Sequence, residues 1–222
     1  AGVVGAVHFA ARFSTVALLD LRGRVLTEQQ LGHVAGDAED GAERVVARAV
    51  RALDGLARQH PSRLLGVGVA TGGWVDPAAG VVVEHDVLGW RNVPLARLVG
   101  DRLGVPVRVD SHARSLLRAE QLFGRAGEGT SVLTVFVGNV VDAALAVGDL
   151  VHEGVGARAG AIAHRPVTGS RTPCSCGRTG CLQATVSERV LLERACGAGL
   201  IREPSLMDLV ADVIQRPAFN AD

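Results

Sequence analysis

The sequence predicts an α/β fold made of two similar halves. Apolar, β-rich runs joined by short turns open the chain at 2–9, 13–20 and 24–31, and an amphipathic helix and a buried strand follow them. A second strand–turn–strand pair begins at 131, and its AALAVGDLVHE resembles the VALLDLRGRVL of the first. This order of elements describes a ribonuclease-H-like half. Two such halves predict the actin-like ATPase architecture, in which two lobes enclose a cleft.

The elements of the first half follow from hydrophobic spacing. Apolar residues recur at helical spacing over 37–60, which predicts one long helix. LLGVGVA (64–70) is typical of a buried strand, and TGGWVDPAAGVVV after it predicts a turn and a hairpin. Residues 93–104 predict a helix that ends at Gly104, and residues 105–110 predict a strand.

The second half begins with a predicted helix at 111–124. Asp110 or Ser111 can cap the first turn of this helix, since both side chains carry an oxygen that accepts from a backbone N–H. Strands are predicted at 131–137 and 141–147, with a Gly-Asp turn after the second of them.

Two further helices are predicted near the end of the chain. One covers 187–200 with Ser187 at its N-cap, and the other covers 205–216 with Ser205 as the cap after Pro204. The predicted lobes are residues 1–110 and residues 111–222, and the second contains a cysteine-rich loop at 164–181.

Composition narrows the class of protein. The chain has 222 residues, of which 48% are hydrophobic, and its 23 basic side chains balance 23 acidic ones. A balanced charge gives no bulk signature of a nucleic-acid or membrane surface. No apolar run is long enough to span a membrane, and we see no signal peptide. We therefore expect a cytoplasmic protein that has no membrane partner.

One loop has the composition of a metal site. His164, Cys174, Cys176 and Cys181 are spaced as H-x9-C-x-C-x4-C. Three thiolates and one imidazole make a closed tetrahedral set for Zn²⁺, with no position left for a catalytic water. The alternatives are unpaired thiols or a disulfide, although Cys174 and Cys176 are too close for a relaxed mutual disulfide. The loop therefore predicts a structural zinc.

These residues resemble a known family. CSCGRTGCLQ (174–183) is similar to the C-x-C-G-x-x-G-C-x-E motif of the ROK family of repressors, open reading frames and kinases. LGWRNVPLARLVGDRLGVPVRVD (88–110) and VALLDLRGRVL (16–26) resemble its central stretch and its opening hairpin. The resemblance implies either a sugar kinase or a regulator whose DNA-binding domain precedes the same body. It also implies a homodimer or homotetramer.

The family's phosphate-binding and catalytic motifs are altered here. The resemblance places His8, Ala10 and Ala11 where the first phosphate loop has Asp and two Gly residues. A Cβ at such a glycine position blocks close approach of the backbone to phosphate. The second loop, VGNVVDAA, keeps one Gly and adds a negative charge at Asp142. The family's N-D-A-N becomes Ser111-His112-Ala113-Arg114, which places His112 at the position of the catalytic base.

The sugar-binding positions are partly retained. The resemblance implies that a family Glu is replaced by Ala161, a second Glu by Gln183 and an Asn by Asp86. Carboxylates that bind hydroxyl pairs give much of a sugar site's affinity, so their loss predicts an altered or weak site. The ligand-binding residues implied by the resemblance are Gly72, Gly73, Asp86, Ser111, His112, His164 and Gln183.

Three functions fit this pattern. The first is the non-catalytic effector-binding and oligomerisation body of a ROK-type regulator, which senses a sugar or sugar phosphate and reaches DNA only through an N-terminal domain absent from this chain. The second is an ATP-dependent kinase of a hexose or N-acetylhexosamine. The third is a degenerate interaction module without a small ligand. The resemblance also implies further C-terminal helices, so this body is expected to be truncated.

Overall fold

The computed structural model describes residues 2–33, 41–124 and 129–203. Its strands are Gly2–Phe9 (β1), Phe13–Leu19 (β2), Val25–Gly32 (β3), Arg63–Thr71 (β4), Trp74–Asp76 (β5), Val81–His85 (β6), Trp90–Val93 (β7), Val107–Ser111 (β8), Val132–Val137 (β9), Val141–Val147 (β10) and Leu150–Val151 (β11). Its helices are Ala42–Gln59 (α1), Leu95–Leu103 (α2), His112–Phe123 (α3), Leu182–Val186 (α4) and Glu188–Gly197 (α5), with a 3-10 turn at Val155–Ala157.

A five-stranded sheet forms the centre of the first half. Its strand order is β3-β2-β1-β4-β8, with the first three strands antiparallel and β1, β4 and β8 parallel. The predicted ribonuclease-H-like order of elements is thus present in the described residues of this half. Because β1, β4 and β8 are parallel, their carboxyl ends lie at one edge, and His8 and Ser111 lie at that edge.

The two faces of this sheet differ. One face packs against α1 and α2 in a core that includes Val7, Phe9, Val46 and Leu53. Small residues such as Ala6, Gly68 and Ala70 line a cavity of about 690 Å³ whose lining also includes α3 residues. Helices α1 and α2 therefore cover one face with large apolar side chains, whereas several sheet residues at the cavity are small.

A second sheet has the order β5-β6-β7. The predicted hairpin corresponds to β5 and β6, and the structure adds β7, which sequence spacing did not indicate. Gly73 precedes β5 with φ +80°, and a Cβ at this position would collide with the Glu84 carbonyl oxygen. Glycine at position 73 is therefore required by packing against β6.

A third sheet has the order β11-β10-β9. Apolar side chains of this sheet are exposed, among them Leu133, Val135, Leu145 and Val147. The predicted strands 131–137 and 141–147 correspond to β9 and β10.

Helix boundaries agree with the sequence in most cases. α1 and α2 lie within the predicted ranges, and Ser111 rather than Asp110 caps α3 by accepting a hydrogen bond from the Arg114 N–H at 3.4 Å. Ser187 is the N-cap residue of α5, as predicted, although its side chain makes no capping hydrogen bond. α4 was not predicted. The predicted helix 205–216 and residues 37–40 lie outside the described residues.

The chain divides into two compact units. The first comprises Ala1–Val135 and Asp142–Ala161, and the second comprises Phe136–Val141 and Ile162–Asp222. The predicted lobe boundary at residue 110 stays a prediction. None of the helices in the described part of the chain is both long enough and apolar enough to cross a membrane.

We predict that Gly73→Ala destabilises the protein by about 2–4 kcal/mol, because it adds a steric clash to an unfavourable φ. Urea unfolding measures the free energy. Gly89→Ala is the matched control, since Gly89 has φ +67° but open space around a built Cβ. Equal losses for the two variants would contradict the packing explanation.

Candidate functional site

The predicted metal ligands converge in the second unit. Four side chains each bring one ligand atom to within 4.8 Å of the others: His164, Cys174, Cys176 and Cys181. The Cys176 and Cys181 sulfurs are 3.7 Å apart, and the Cys174 sulfur is 3.6 Å from His164 Nδ1. Tetrahedral zinc with Zn–S of about 2.3 Å places sulfurs about 3.8 Å apart. All four cysteines are free thiols, so the disulfide alternative is not formed. The donor set therefore fits a zinc ion.

Backbone contacts shape this loop. Pro173 bridges to Thr179, and the Cys174 N–H donates to the Arg178 carbonyl at 2.8 Å. Gly180 has φ +72°, and a Cβ there would collide with the Ser170 carbonyl oxygen. The turn that presents Cys181 therefore requires glycine at this position.

The thiols have different acidities. Burial raises the pKa of Cys176, but hydrogen bonds from Arg178 outweigh it and lower the pKa to about 7. Burial, together with the neighbouring thiols, raises the pKa of Cys181 to about 11. Cys176 therefore loses its proton more readily than Cys181, and a metal ion needs both as thiolates.

Two histidines meet in the first unit. His8 Nε2 and His112 Nε2 are 2.9 Å apart, although the residues are 104 positions apart in sequence. Burial lowers the pKa of His8, and burial with the nearby His8 and His85 lowers the pKa of His112 to about 3. Both rings are therefore neutral at pH 7, and one Nε2–H donates to the other Nε2.

A third histidine lies beside the two-glycine turn. His85 ends β6 and is 1% exposed, and a Cβ on Gly73 would lie 3.0 Å from its Cα. The Leu88 N–H donates to His85 Nδ1 at 3.3 Å. Burial lowers the pKa of His85 to about 4. Three neutral imidazoles thus belong to this part of the first unit.

Arg114 is a buried cation that holds backbone segments together. Its guanidinium donates to the Val75 carbonyl at 2.9 Å and to the Ala157 carbonyl at 3.1 Å, and it pairs with Asp110. Trp74 adds a bond from Nε1 to the Gly156 carbonyl at 2.7 Å. The 3-10 turn is therefore fixed to β5 and α3.

Asp142 is buried beside the capping residue of α3. Burial raises its pKa to about 6, against hydrogen bonds from the Ala143 N–H and the Ser111 side chain. Near neutral pH the group thus retains part of its proton. The negative charge expected here from the sequence is consequently weaker than an ordinary aspartate would give.

The remaining predicted ligand residues already have protein partners. Asp86 pairs with Arg91 at 2.8 Å, and Gln183 Oε1 accepts from the Val141 N–H at 3.1 Å. The predicted ligand residues are divided between the two units. The first unit contains Gly72, Gly73, Asp86, Ser111 and His112, and the second contains His164 and Gln183. Ligand binding at these seven residues stays a prediction.

Sequence reasoning missed two residues of this region. His85 was given no role, and Arg114 was named only as a substituted motif position. The contact partners of Arg114 lie 39 and 43 positions away, so no local pattern contains them. An apolar strand that ends in His, as VVVEH does, is the signal that could have singled out His85.

Comparison with known proteins gives one family. The model described as the ROK family matches residues 4–211. A transcriptional regulator of Mycobacterium tuberculosis is 34% identical over 192 residues, which are 85% of this chain and 42% of that protein. A xylose repressor of Caldicellulosiruptor bescii is 26% identical over 191 residues, 86% of this chain and 48% of that protein. This chain thus spans about half the length of these relatives.

Solved structures share the fold. A ROK family glucokinase from Streptomyces griseus, in complex with glucose and AMPPNP, has a TM-score of 0.78 at 24% identity, over 89% of this chain and 62% of that one. A ROK family transcriptional regulator, a homologue of the E. coli MLC protein, has a TM-score of 0.77 at 20% identity. The match covers 98% of this chain and 57% of that one. The fold is therefore the ROK fold of the actin-like ATPases, with mixed α/β sheets.

We predict that Cys176→Ser removes bound zinc and destabilises the protein by roughly 3 kcal/mol or more, because metal binding contributes directly to folding. Atomic emission gives the zinc content, and thermal unfolding gives the stability. Cys196→Ser is the control and should keep the zinc, since Cys196 lies outside the cluster. Unchanged zinc content and melting temperature in Cys176→Ser would refute the site.

We predict that Asp142 makes stability fall as the pH rises from about 4 to about 6. In this range the unfolded chain loses the Asp142 proton while the folded protein keeps it, so ionisation favours the unfolded state. Asp142→Asn should remove this loss and stabilise the protein at pH 7 by up to about 3 kcal/mol. Urea unfolding at several pH values measures the free energy of unfolding. The control is Asp149→Asn, because Asp149 is exposed. A pH profile parallel to that of the wild-type protein would contradict the burial of Asp142.

Proposed function

Because this chain belongs to the ROK family, we propose that it is the non-catalytic effector-binding and oligomerisation body of a ROK-type transcriptional regulator. The observation that carries this proposal is the contact between His8 and His112 at 2.9 Å. It joins the residue at the first phosphate-loop position to the residue at the base position. Both positions would carry aspartate in a kinase that keeps the family motifs.

Phosphoryl transfer needs groups that the motif positions of His8 and His112 no longer supply. A kinase requires a base near the accepting hydroxyl and groups that hold the phosphates and Mg²⁺. His112 is 5% exposed, its Nε2 contacts another imidazole, and its pKa of about 3 makes it a weak base. Neutral imidazoles in place of carboxylates supply no hard oxygen ligand for Mg²⁺.

The relatives named as a repressor and a regulator support the regulatory role. We propose that the effector is a sugar or sugar phosphate, bound by the residues that the family resemblance implies. DNA binding would reside in a domain outside this chain, and the body would form a homodimer or homotetramer. A change in operator affinity requires that the effector bind one conformational state more tightly than another.

We further propose that zinc occupies the cysteine loop as a structural ion. His164, Cys174, Cys176 and Cys181 would hold it, and the ion would supply folding energy to the second unit. A full set of four protein ligands leaves no open coordination position for a reacting water.

The second candidate is a sugar kinase. The glucokinase that shares the fold and the retained turn at Gly72 and Gly73 favour it. The substitutions at His8, Ala10, Ala11 and His112 disfavour it. A module that binds no small ligand is the third candidate, and it differs from the regulator body only in ligand binding.

The test combines two measurements on the zinc-loaded chain. Melting temperature is recorded with pentoses, hexoses, N-acetylhexosamines and their phosphates, each with and without ATP and Mg²⁺, and ADP release is assayed in the same mixtures. We expect a sugar to raise the melting temperature by mass action, with no added shift from ATP and no ADP. A ROK glucokinase serves as the positive control for ADP release.

Sugar-dependent ADP release at a rate typical of kinases would overturn the proposal in favour of the enzyme. The absence of any shift across the panel would overturn it in favour of the module without a small ligand.

A further inference from the structure

His85 is a buried polar residue that the family motifs do not use. Its side chain is almost fully enclosed, and its Nε2 has no hydrogen-bond partner among the described residues. A buried polar group without a partner is costly, commonly by enough to lower stability measurably. Such a group in a native protein needs a reason.

The ring has a defined proton position. Because the Leu88 N–H donates to Nδ1, that nitrogen must be the acceptor, and the proton of the neutral ring lies on Nε2. In the other neutral tautomer the proton lies on Nδ1 and faces the backbone of His85 itself. That tautomer cannot accept the hydrogen bond from the Leu88 N–H. The contact with Leu88 therefore presents Nε2–H as a fixed donor.

Two positions that the family resemblance implies for a ligand lie beside His85. Gly73 packs against its backbone, and Asp86 follows it in sequence. Arg91 bridges Asp86 at 2.8 Å and Glu84 at 3.2 Å, which fixes both flanks of His85. The donor is thus held rigidly next to two residue positions where the family resemblance implies sugar contacts.

Two arginines of this part of the first unit are already paired and do not suit a phosphate. Arg91 is shared by two carboxylates, and Arg114 is buried against Asp110 and two backbone carbonyls. Phosphate recognition relies on cations free to make charge-assisted hydrogen bonds. Neutral donors and acceptors instead suit hydroxyl and ring oxygens.

We propose that His85 is a further specificity-determining residue of the ligand site, whose Nε2–H donates to an oxygen of an unphosphorylated sugar. This inference rests on the proposed function and adds to it one residue and one ligand class. A ligand oxygen satisfies the donor that the protein leaves without an acceptor. A sugar without an oxygen at that point leaves the donor buried and unpaired, which is the basis of discrimination.

Two substitutions separate the ring nitrogens. In His85→Asn the side-chain oxygen replaces Nδ1 as the acceptor for the Leu88 N–H, and the Nε2–H donor is removed. His85→Gln keeps a donor in the place of Nε2 and loses the contact with Leu88. We expect His85→Asn to fold with a melting temperature close to that of the wild-type protein and to bind sugar about ten-fold more weakly.

His85→Gln should show the opposite pattern, with a lower melting temperature and most of the affinity retained. His60→Asn is the matched control, because His60 Nδ1 also accepts a backbone N–H, from Ser62 at 3.1 Å. Binding of D-xylose, D-glucose and N-acetyl-D-glucosamine is measured by calorimetry, with glucose 6-phosphate and inorganic phosphate in parallel arms.

The outcomes are distinct. Undiminished sugar affinity in His85→Asn overturns the inference, as does tighter binding of glucose 6-phosphate than of glucose. Absence of binding by the wild-type protein contradicts the proposed function itself, and the inference falls with it.

A second measurement needs no ligand. Nitrogen-15 NMR of the histidine rings identifies the protonated nitrogen, and the signal lost in His85→Asn assigns His85. We expect the proton on Nε2. A proton on Nδ1 overturns the inference even where the sugar binds.

Discussion

The contact between His8 and His112 is the constraint on which the account of this site depends. Two imidazoles 2.9 Å apart in a buried setting cannot both carry charge, and burial keeps this histidine pair at the carboxyl edge of the central sheet neutral. His8 is the next-to-last residue of β1 and His112 is the first residue of α3, directly after β8, so the contact joins β1 to the start of α3. The two neutral imidazoles stand at the positions where the resemblance implies carboxylates in a kinase.

The metal cluster, unlike the contact between His8 and His112, is formed by residues that are close in sequence. Its four ligands lie within eighteen consecutive residues of the second unit, and a bridge and a glycine turn shape the loop between them. None of the site residues in the first unit contributes a ligand. The cluster can therefore persist while the substituted motifs around β1 and α3 change, because the stability that a structural ion supplies does not require a working catalytic site.

Local features were predictable from sequence, and long-range contacts were not. The strands β1 to β4, the helix α1 and the His/Cys cluster follow from spacing within short segments, because each depends on neighbours in the chain. The pairing of His8 with His112 spans 104 residues, and the bonds from Arg114 to Val75 and Ala157 depend on the tertiary fold. β7 was missed because WRNV has no clear alternation of apolar and polar residues. Ser187 has the right residue type for a cap, but residue type does not determine whether its hydroxyl reaches the backbone.

The central claim is that the histidines at the carboxyl edge of the sheet are neutral and paired. The most direct test is a proton NMR titration of the ring signals of His8 and His112 between pH 5.5 and 8. Each signal is assigned by its loss in a single His→Asn variant. The account predicts that His112 keeps its neutral chemical shift over the whole range, because burial and the neighbouring imidazoles lower its pKa to about 3. Titration of His112 near its ordinary value of about 6.5 would contradict the account.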